Sequence, residues 1–191
     1  MQGFTMGGGV GVSCHGSHRV VGETSKIAMP ECSIGLVPDV GGSFLLAQLP
    51  GDIGTFLGVT GKRMKASDAI YCGFADYFIP ETKWKDLKKK LIETGNVDWI
   101  KNFHERPEFS VLETSFSQIS EAMVDVSTKN IESRLKHPFF EKDLSALRFN
   151  SPISVAYTII MLKMEKVRNN ISDALDAEYS FTARSQEFGD F

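Results

Sequence analysis

The chain has 191 residues, which suits one domain with a hydrophobic core, with or without an added helical region. A net charge of −3 gives no reason to expect nucleic acid or an anionic membrane as a partner, and no apolar run reaches the roughly 18 to 20 residues that a membrane helix needs. The three cysteines lack the CxxC spacing of zinc sites, and their odd number does not predict a disulfide framework.

In residues 1–80, glycines and prolines separate short apolar segments that predict both helices and strands. The predicted helices cover residues 8–17, 43–49, 52–60 and 66–72. The predicted strands cover residues 18–21, 24–28 and 74–79. For the helix at 66–72, we expect Ser67 or Asp68 to be the N-cap residue and Gly73 to end the helix.

The second half of the chain predicts helices alone. These helices begin near Trp84, where lysines mark a solvated face, and continue at 119–123, 131–135, 151–167 and 172–184. The helix at 151–167 has the clearest start, with Ser151 as its N-cap residue and Pro152 in its first position. We therefore divide the chain into residues 1–94, which carry the candidate site, and residues 95–191, a helical region that packs on or caps the first part.

Three short motifs supply the candidate site residues. The run Gly7-Gly8-Gly9 precedes an apolar segment, and such a run can open a helix whose free N–H groups point at an anion. Glu31 follows Pro30, and Asp39 follows Pro38, so two acids come shortly after the glycines. Glycine amides as oxyanion donors, together with acids for proton transfer or nucleophilic attack, indicate acyl-transfer chemistry at a carbonyl group.

Each feature taken alone also has a plainer interpretation. The glycine run is typical of a tight turn, Glu31 of a helix start, and Asp39 of a Pro-Asp turn. His15 and His18 are spaced for one helix face, but no carboxylate or cysteine completes a ligand set, so the sequence predicts no metal site.

The same motifs resemble the enoyl-CoA hydratase/isomerase (crotonase) superfamily, and within it most closely the 3-hydroxyisobutyryl-CoA hydrolase branch. The resemblance is carried by residues 3–11, 28–31 and 34–42 and is dense up to about residue 80. It is looser over the helical remainder, where Asn150-Ser151-Pro152 and Glu178-Tyr179 still fit the hydrolase branch.

The resemblance implies a substrate site made of Gly7, Gly8, Glu31 and Asp39, of which the last three are the catalytic residues. Gly8 would supply one of two oxyanion N–H donors, Glu31 would be the acid of the family's Pro-Glu motif, and Asp39 would mark the hydrolase branch. Hydratases of the superfamily typically carry a second glutamate where this chain has Gly11, so hydrolysis is favoured over hydration.

The roles of the two acids stay open at the level of the sequence. Glu31 either attacks the thioester to form an acyl-enzyme anhydride or acts as a base on water. Asp39 either activates the hydrolytic water or hydrogen-bonds a substrate hydroxyl. No metal and no cofactor are implied, because coenzyme A arrives as part of the substrate.

The implied fold class is α/β: a partial crotonase-like fold of short strands and helices, followed by a C-terminal helical region. The family's first strands are expected upstream of residue 1, so we expect a central-to-C-terminal portion of a longer protein, or a shortened isoform. The expected function is mitochondrial 3-hydroxyisobutyryl-CoA hydrolysis in valine catabolism. A small-molecule acyl-CoA would be the partner, and assembly into a homo-oligomer stays open.

Two alternatives remain. One is an enoyl-CoA hydratase or isomerase of the same fold, with Glu31 as general acid and base. The other is a truncated, inactive isoform that acts as a binding module.

Overall fold

Short strands and many helices make up residues 1–190, the part of the chain that this computed structural model describes. The strands are β1 Phe4–Met6, β2 Val20–Val21, β3 Lys26–Ala28 and β4 Tyr77–Phe78. The first helices are α1 Gly8–Ser13, α2 Gly42–Ala47, α3 Ile53–Thr60, α4 Ala66–Tyr71, α5 Trp84–Thr94, α6 Trp99–Phe103 and α7 Val111–Thr114. The remaining helices are α8 Phe116–Met123, α9 Ile131–Arg134, α10 Glu141–Phe149, α11 Pro152–Leu162, α12 Glu165–Asn169 and α13 Ile171–Phe188. Three 3-10 turns lie at Glu31–Ile34, Glu81–Lys83 and Pro138–Phe140.

The strands form two parallel pairs. Strand β1 pairs with β3 so that Phe4, Thr5 and Met6 lie opposite Lys26, Ile27 and Ala28. Strand β2 pairs with β4. Because parallel strands run in the same direction, β1 and β3 end side by side, and this shared end is where the candidate site lies.

Strand β1 is absent from the sequence-based prediction, and helix α1 is shorter than predicted. Only one of the three β1 side chains, that of Thr5, is buried, so the strand is too short to show an alternating pattern. Helix α1 ends at Ser13 rather than at residue 17, because the chain turns at Gly16, whose N–H donates to the carbonyl oxygen of Ser13.

The N-cap residue of α4 is Lys65, so the prediction of Ser67 or Asp68 is wrong. Ala66 is already helical, which places Asp68 in the first turn. Its carboxylate accepts hydrogen bonds from the Ser110 hydroxyl (2.7 Å) and from the Leu112 N–H (3.1 Å). Asp68 therefore joins α4 to the start of α7.

The long helix predicted over residues 151–167 is two helices, α11 and α12. Its start is as expected: Ser151 accepts a hydrogen bond from the Ser154 N–H, and Pro152 occupies the first position. The helix stops at Leu162, and Met164 is extended and is the N-cap residue of α12. The Lys163 ammonium group donates to the Val126 carbonyl oxygen at 2.8 Å.

Helix α3 lies at the centre of the main hydrophobic core, and all eight of its residues are buried. It contacts α2, α8, α10 and α11. Gly54 permits the contact with α2, because a Cβ atom there would collide with the Leu46 carbonyl group. The buried cluster includes side chains from Val10 to Phe181, so both predicted parts of the chain contribute to it. The boundary at residue 94 stays a prediction.

A second, smaller cluster lies around α5 and α6. Its buried members are Ile79, Leu87 and Ile100. The lysines of α5 at positions 85, 88 and 89 are exposed on the opposite face. Within residues 1–190, no helix combines the length and the hydrophobicity that a bilayer span requires.

Candidate active site

Two chain segments leave the shared end of β1 and β3. After β1 the chain passes through Gly7 into α1, and after β3 it passes through Met29 and Pro30 into the turn that begins at Glu31. The Gly7 N–H donates to the Ala28 carbonyl oxygen at 3.4 Å, which holds the two exits together. Parallel pairing therefore brings the glycine run and Glu31 to one place although Glu31 lies 22 positions after Gly9 in the chain.

Gly7 meets two requirements that only glycine meets. Its backbone has φ 52° and ψ −121°, a region that side chains disfavour. A Cβ atom at Gly7 would also lie 2.7 Å from Oε1 of Glu31. The Glu31 carboxyl group thus lies directly against the backbone that leads into α1.

Gly8 is the first residue of α1, and it is exposed. A Cβ atom there would meet nothing within 4 Å, so open space adjoins this residue. The first amides of a helix have no acceptor within the helix. The Val10 N–H instead bonds the Gly7 carbonyl oxygen at 2.8 Å. The exposed Gly8 therefore places no side chain in the way of a ligand at the start of α1.

Glu31 is buried, with 5% of its surface exposed. Among the described residues, its Oε2 atom has no hydrogen-bond partner. Burial and, to a smaller extent, the negative charges of Asp39 and Glu178 raise the pKa of Glu31 to about 8. At neutral pH the carboxyl group is therefore mostly protonated and has a free oxygen for a ligand.

The turn that carries Glu31 is held from behind by α11. The Ser151 N–H donates to the Cys32 carbonyl oxygen at 2.8 Å, and the Cys32 thiol lies 3.4 Å from the Thr158 hydroxyl. Gly61, at the end of α3, lets that helix approach Pro30 closely. Residues from the predicted helical region thus fix the position of Glu31.

Asp39 lies half-buried in the loop that precedes α2. Its carbonyl oxygen accepts a hydrogen bond from the Gly42 N–H at 2.7 Å. Burial raises the pKa of Asp39. Its charge contributes to the raised pKa values of both Glu31 and Glu178, so the three carboxyl groups are near neighbours.

Val40 fills the space beside Gly11. A Cβ atom at Gly11 would lie 2.7 Å from Cβ of Val40 and 2.9 Å from its carbonyl oxygen. Val40 also has φ 52°, which is rare for a β-branched residue. Any side chain at position 11 would therefore require the loop after Asp39 to move.

From the sequence, Glu178 was identified only as a residue that fits the hydrolase branch, and no role was predicted for this side chain. In the structure Glu178 is buried on α13 and accepts hydrogen bonds from the Gly41 and Ser43 amides and from the Ser43 hydroxyl. An acid on a helix face shared with the buried Ala174, Ala177 and Phe181 is a signal that the sequence did contain.

The two histidines have different neighbours. Nε2 of His15 lies 2.6 Å from where a Cβ atom on Gly41 would be, whereas the His18 ring stacks on Tyr77 and bonds Ser17. Within residues 1–190, no group of three or more histidine, cysteine, aspartate or glutamate side chains is arranged to hold a metal ion.

Comparisons with known proteins extend over the whole chain. The Enoyl-CoA hydratase/isomerase family model matches residues 1–191. The mitochondrial 3-hydroxyisobutyryl-CoA hydrolase of Gallus gallus is 35% identical over 100% of this chain and 53% of its own length, and that of Homo sapiens is 32% identical with the same coverage. The chain thus spans about half the length of these curated relatives.

Two solved structures share the fold. An enoyl-CoA hydratase from Rhodobacter sphaeroides 2.4.1 has a TM-score of 0.90 and 47% identity, over 98% of this chain and 55% of that protein. A carnitinyl-CoA dehydratase from Mycobacterium thermoresistibile has a TM-score of 0.85 and 33% identity, over 92% of this chain and 52% of that protein. The predicted resemblance and fold class are confirmed, and the chain belongs to the enoyl-CoA hydratase/isomerase family with a crotonase-like fold.

Proposed function

We propose that this chain carries the acyl-CoA site of a thioester hydrolase, with 3-hydroxyisobutyryl-CoA as its substrate. The observation that carries the proposal is the meeting of Gly7, Gly8 and Glu31 at the shared end of β1 and β3, with Asp39 on the adjoining loop. The names of the Gallus gallus and Homo sapiens relatives support the choice of hydrolysis and of substrate.

In the proposed reaction the thioester carbonyl oxygen lies at the Gly8 amide. When an oxygen nucleophile attacks the carbonyl carbon, negative charge develops on that oxygen, and the N–H dipoles of the first helical turn stabilise it. The open space beside Gly8 is where the carbonyl group would enter. The loss of one such donor typically lowers kcat by about 100- to 1000-fold.

Glu31 acts in its carboxylate form. It either attacks the carbonyl carbon to give an anhydride, which water then opens, or removes a proton from the attacking water. In both routes the carbon–sulfur bond breaks, the thiolate of coenzyme A leaves and is protonated, and the acid is released. Asp39 activates the hydrolytic water or hydrogen-bonds the hydroxyl group of the substrate. The proposed reaction requires no cofactor besides the coenzyme A that the substrate itself carries.

A hydratase is the second candidate, and the name of the Rhodobacter sphaeroides structure favours it. Hydration in this superfamily typically employs two glutamates, whereas position 11 of this chain is glycine. The packing of Val40 against Gly11 leaves no space for a second acid there. This packing supports hydrolysis over hydration.

The setting that we propose follows the curated relatives, which are named mitochondrial. The proposed setting is valine catabolism in the mitochondrion. The proposed partner is a small-molecule acyl-CoA, and assembly into a homo-oligomer stays open. Because the chain spans about half the length of these relatives, an inactive binding module is an outcome that the experiment must be able to reveal.

The test measures free-thiol release from 3-hydroxyisobutyryl-CoA beside hydration of crotonyl-CoA. It uses this chain and a form that is extended upstream of residue 1. We expect thiol release without hydration. Hydration of crotonyl-CoA alone would make the hydratase the function, and binding of both compounds without reaction in either form would identify a binding module.

A further inference from the structure

We propose that Glu178 is a positioning residue that holds the loop carrying Asp39 in place at the active site. This inference rests on the proposed hydrolase function. Glu178 lies on α13, 139 positions after Asp39 in the chain, so it reaches the loop only through the tertiary fold.

The contacts of Glu178 go to the loop on which Asp39 lies. Its Oε2 atom accepts a hydrogen bond from the Gly41 N–H at 3.1 Å, and its Oε1 atom accepts one from the Ser43 N–H at 3.2 Å. The Ser43 hydroxyl also donates to Oε1. Both carboxyl oxygens are therefore engaged, and each holds a different residue of the segment that follows Asp39.

The loop has a conformation that requires such support. Val40 and Gly41 both have positive φ, at 52° and 78°, and a β-branched residue adopts this region only where its surroundings impose it. On one side the Val40 side chain packs against Gly11, and on the other Glu178 holds the amides of Gly41 and Ser43. The same segment is closed by the bond from the Gly42 N–H to the Asp39 carbonyl oxygen.

Glu178 also acts on Glu31 through its charge. Its negative charge raises the pKa of Glu31, after the larger effect of burial, and Asp39 in turn raises the pKa of Glu178. The exposed His15 ring also lies against Gly41. A geometric and an electrostatic effect at the site thus come from one carboxylate on α13.

The test is Glu178→Gln, since an amide has the same size but can accept hydrogen bonds through one atom only. We expect kcat for thiol release to fall by about 10- to 100-fold, because the loop no longer fixes Asp39, while KM changes by less than about threefold. Asp176→Asn, an exposed acid on the same helix, is the matched control and should leave kcat unchanged. Unchanged kcat in Glu178→Gln would overturn the proposal.

A second measurement does not depend on turnover. Carbon-13 NMR titration of the ligand-free chain should show a lower pKa for Glu31 in Glu178→Gln than in the unsubstituted chain, and faster hydrogen exchange at the Gly41 amide. Unchanged values for both would overturn the positioning role. If the unsubstituted chain releases no thiol and these shifts still occur, the proposed function fails while the hold on the loop stands.

Ser43→Ala covers the case in which Glu178→Gln does not fold. This variant removes one of the three donors and leaves the Glu178 carboxylate in place. We expect a loss in kcat of about two- to tenfold, with faster exchange at the Ser43 amide. Kinetics and exchange that match the unsubstituted chain would contradict the proposal.

Discussion

Oε1 of Glu31 lies 2.7 Å from the position that a Cβ atom on Gly7 would occupy. The two residues leave neighbouring parallel strands, so this contact is set by the pairing of β1 with β3 rather than by the local sequence. It places a buried carboxyl group beside the first amides of α1, and several consequences can be measured.

The first concerns Gly7→Ala. Alanine is strained at φ 52° and ψ −121°, and its methyl group would push the Glu31 carboxyl group away. We expect the free energy of unfolding to fall by about 1–3 kcal/mol and thiol release to be lost. Chemical denaturation measures the first effect. Gly9→Ala is the control for stability, since its Cβ atom would make an ordinary 3.6 Å contact with Thr5; an equal loss in both variants would contradict the argument.

The second prediction concerns how the stability of the fold changes with pH. The folded chain retains the Glu31 proton up to pH about 8, whereas the unfolded chain releases it near 4.5. The Glu31 carboxyl group therefore lowers the stability of the unsubstituted chain as pH rises through this window, and this contribution is absent from Glu31→Gln. We expect Glu31→Gln to become more stable than the unsubstituted chain by about 2–4 kcal/mol between pH 5 and pH 8.

Denaturation at a series of pH values measures this difference. Glu121→Gln, at an exposed position, reports the effect of removing a surface carboxylate. A stability difference between Glu31→Gln and the unsubstituted chain that stays constant from pH 5 to pH 8 would show that Glu31 is not held in its protonated form.

The third prediction concerns how the rate of thiol release changes with pH. Attack or proton removal requires the carboxylate form of Glu31, and burial holds its pKa at about 8. We expect kcat/KM for thiol release to rise from pH 6 to about pH 9, to reach half of its maximum near pH 8, and then to level off. A rate that falls over this range would indicate that Glu31 works as an acid.

The fourth concerns the space beside Gly11. In Gly11→Ala the new methyl group would overlap Val40, so the loop after Asp39 must shift. We expect a loss of about 1–3 kcal/mol in stability and a drop in turnover. Adding Val40→Gly should recover part of both, because it removes the overlapping side-chain atoms and the positive-φ strain. If the losses of stability and turnover from the two substitutions simply add in the double variant, the contact between position 11 and Val40 does not cause them.

Local signals in the sequence were sufficient for some elements. Ser151 followed by Pro152 predicted the start of α11, and Gly61 correctly marked the end of α3. These features act within a few residues, through hydrogen bonds to the first turn or through a left-handed C-cap residue. The glycine run likewise predicted a helix start at Gly8, and the structure brings this start together with Gly7 and Glu31.

Features that depend on distant contacts were not predictable in the same way. Strand β1 has three residues and exists because it pairs with β3. The break between α11 and α12 lies in a continuous apolar pattern, where Lys163 bonds a carbonyl oxygen of residue 126. Glu178 reaches the Asp39 loop only when α13 packs against α2. The site roles of Gly8, Glu31 and Asp39 remain predictions.

The most direct test of the central claim is free-thiol release from 3-hydroxyisobutyryl-CoA by the unsubstituted protein and by Glu31→Gln, each at pH 8. The glutamine retains the size of the side chain and removes the carboxylate, so acyl-CoA binding should change little. We expect the rate to fall by at least about 1000-fold. Thiol release by Glu31→Gln at a rate close to that of the unsubstituted protein would contradict the role of Glu31 in the reaction.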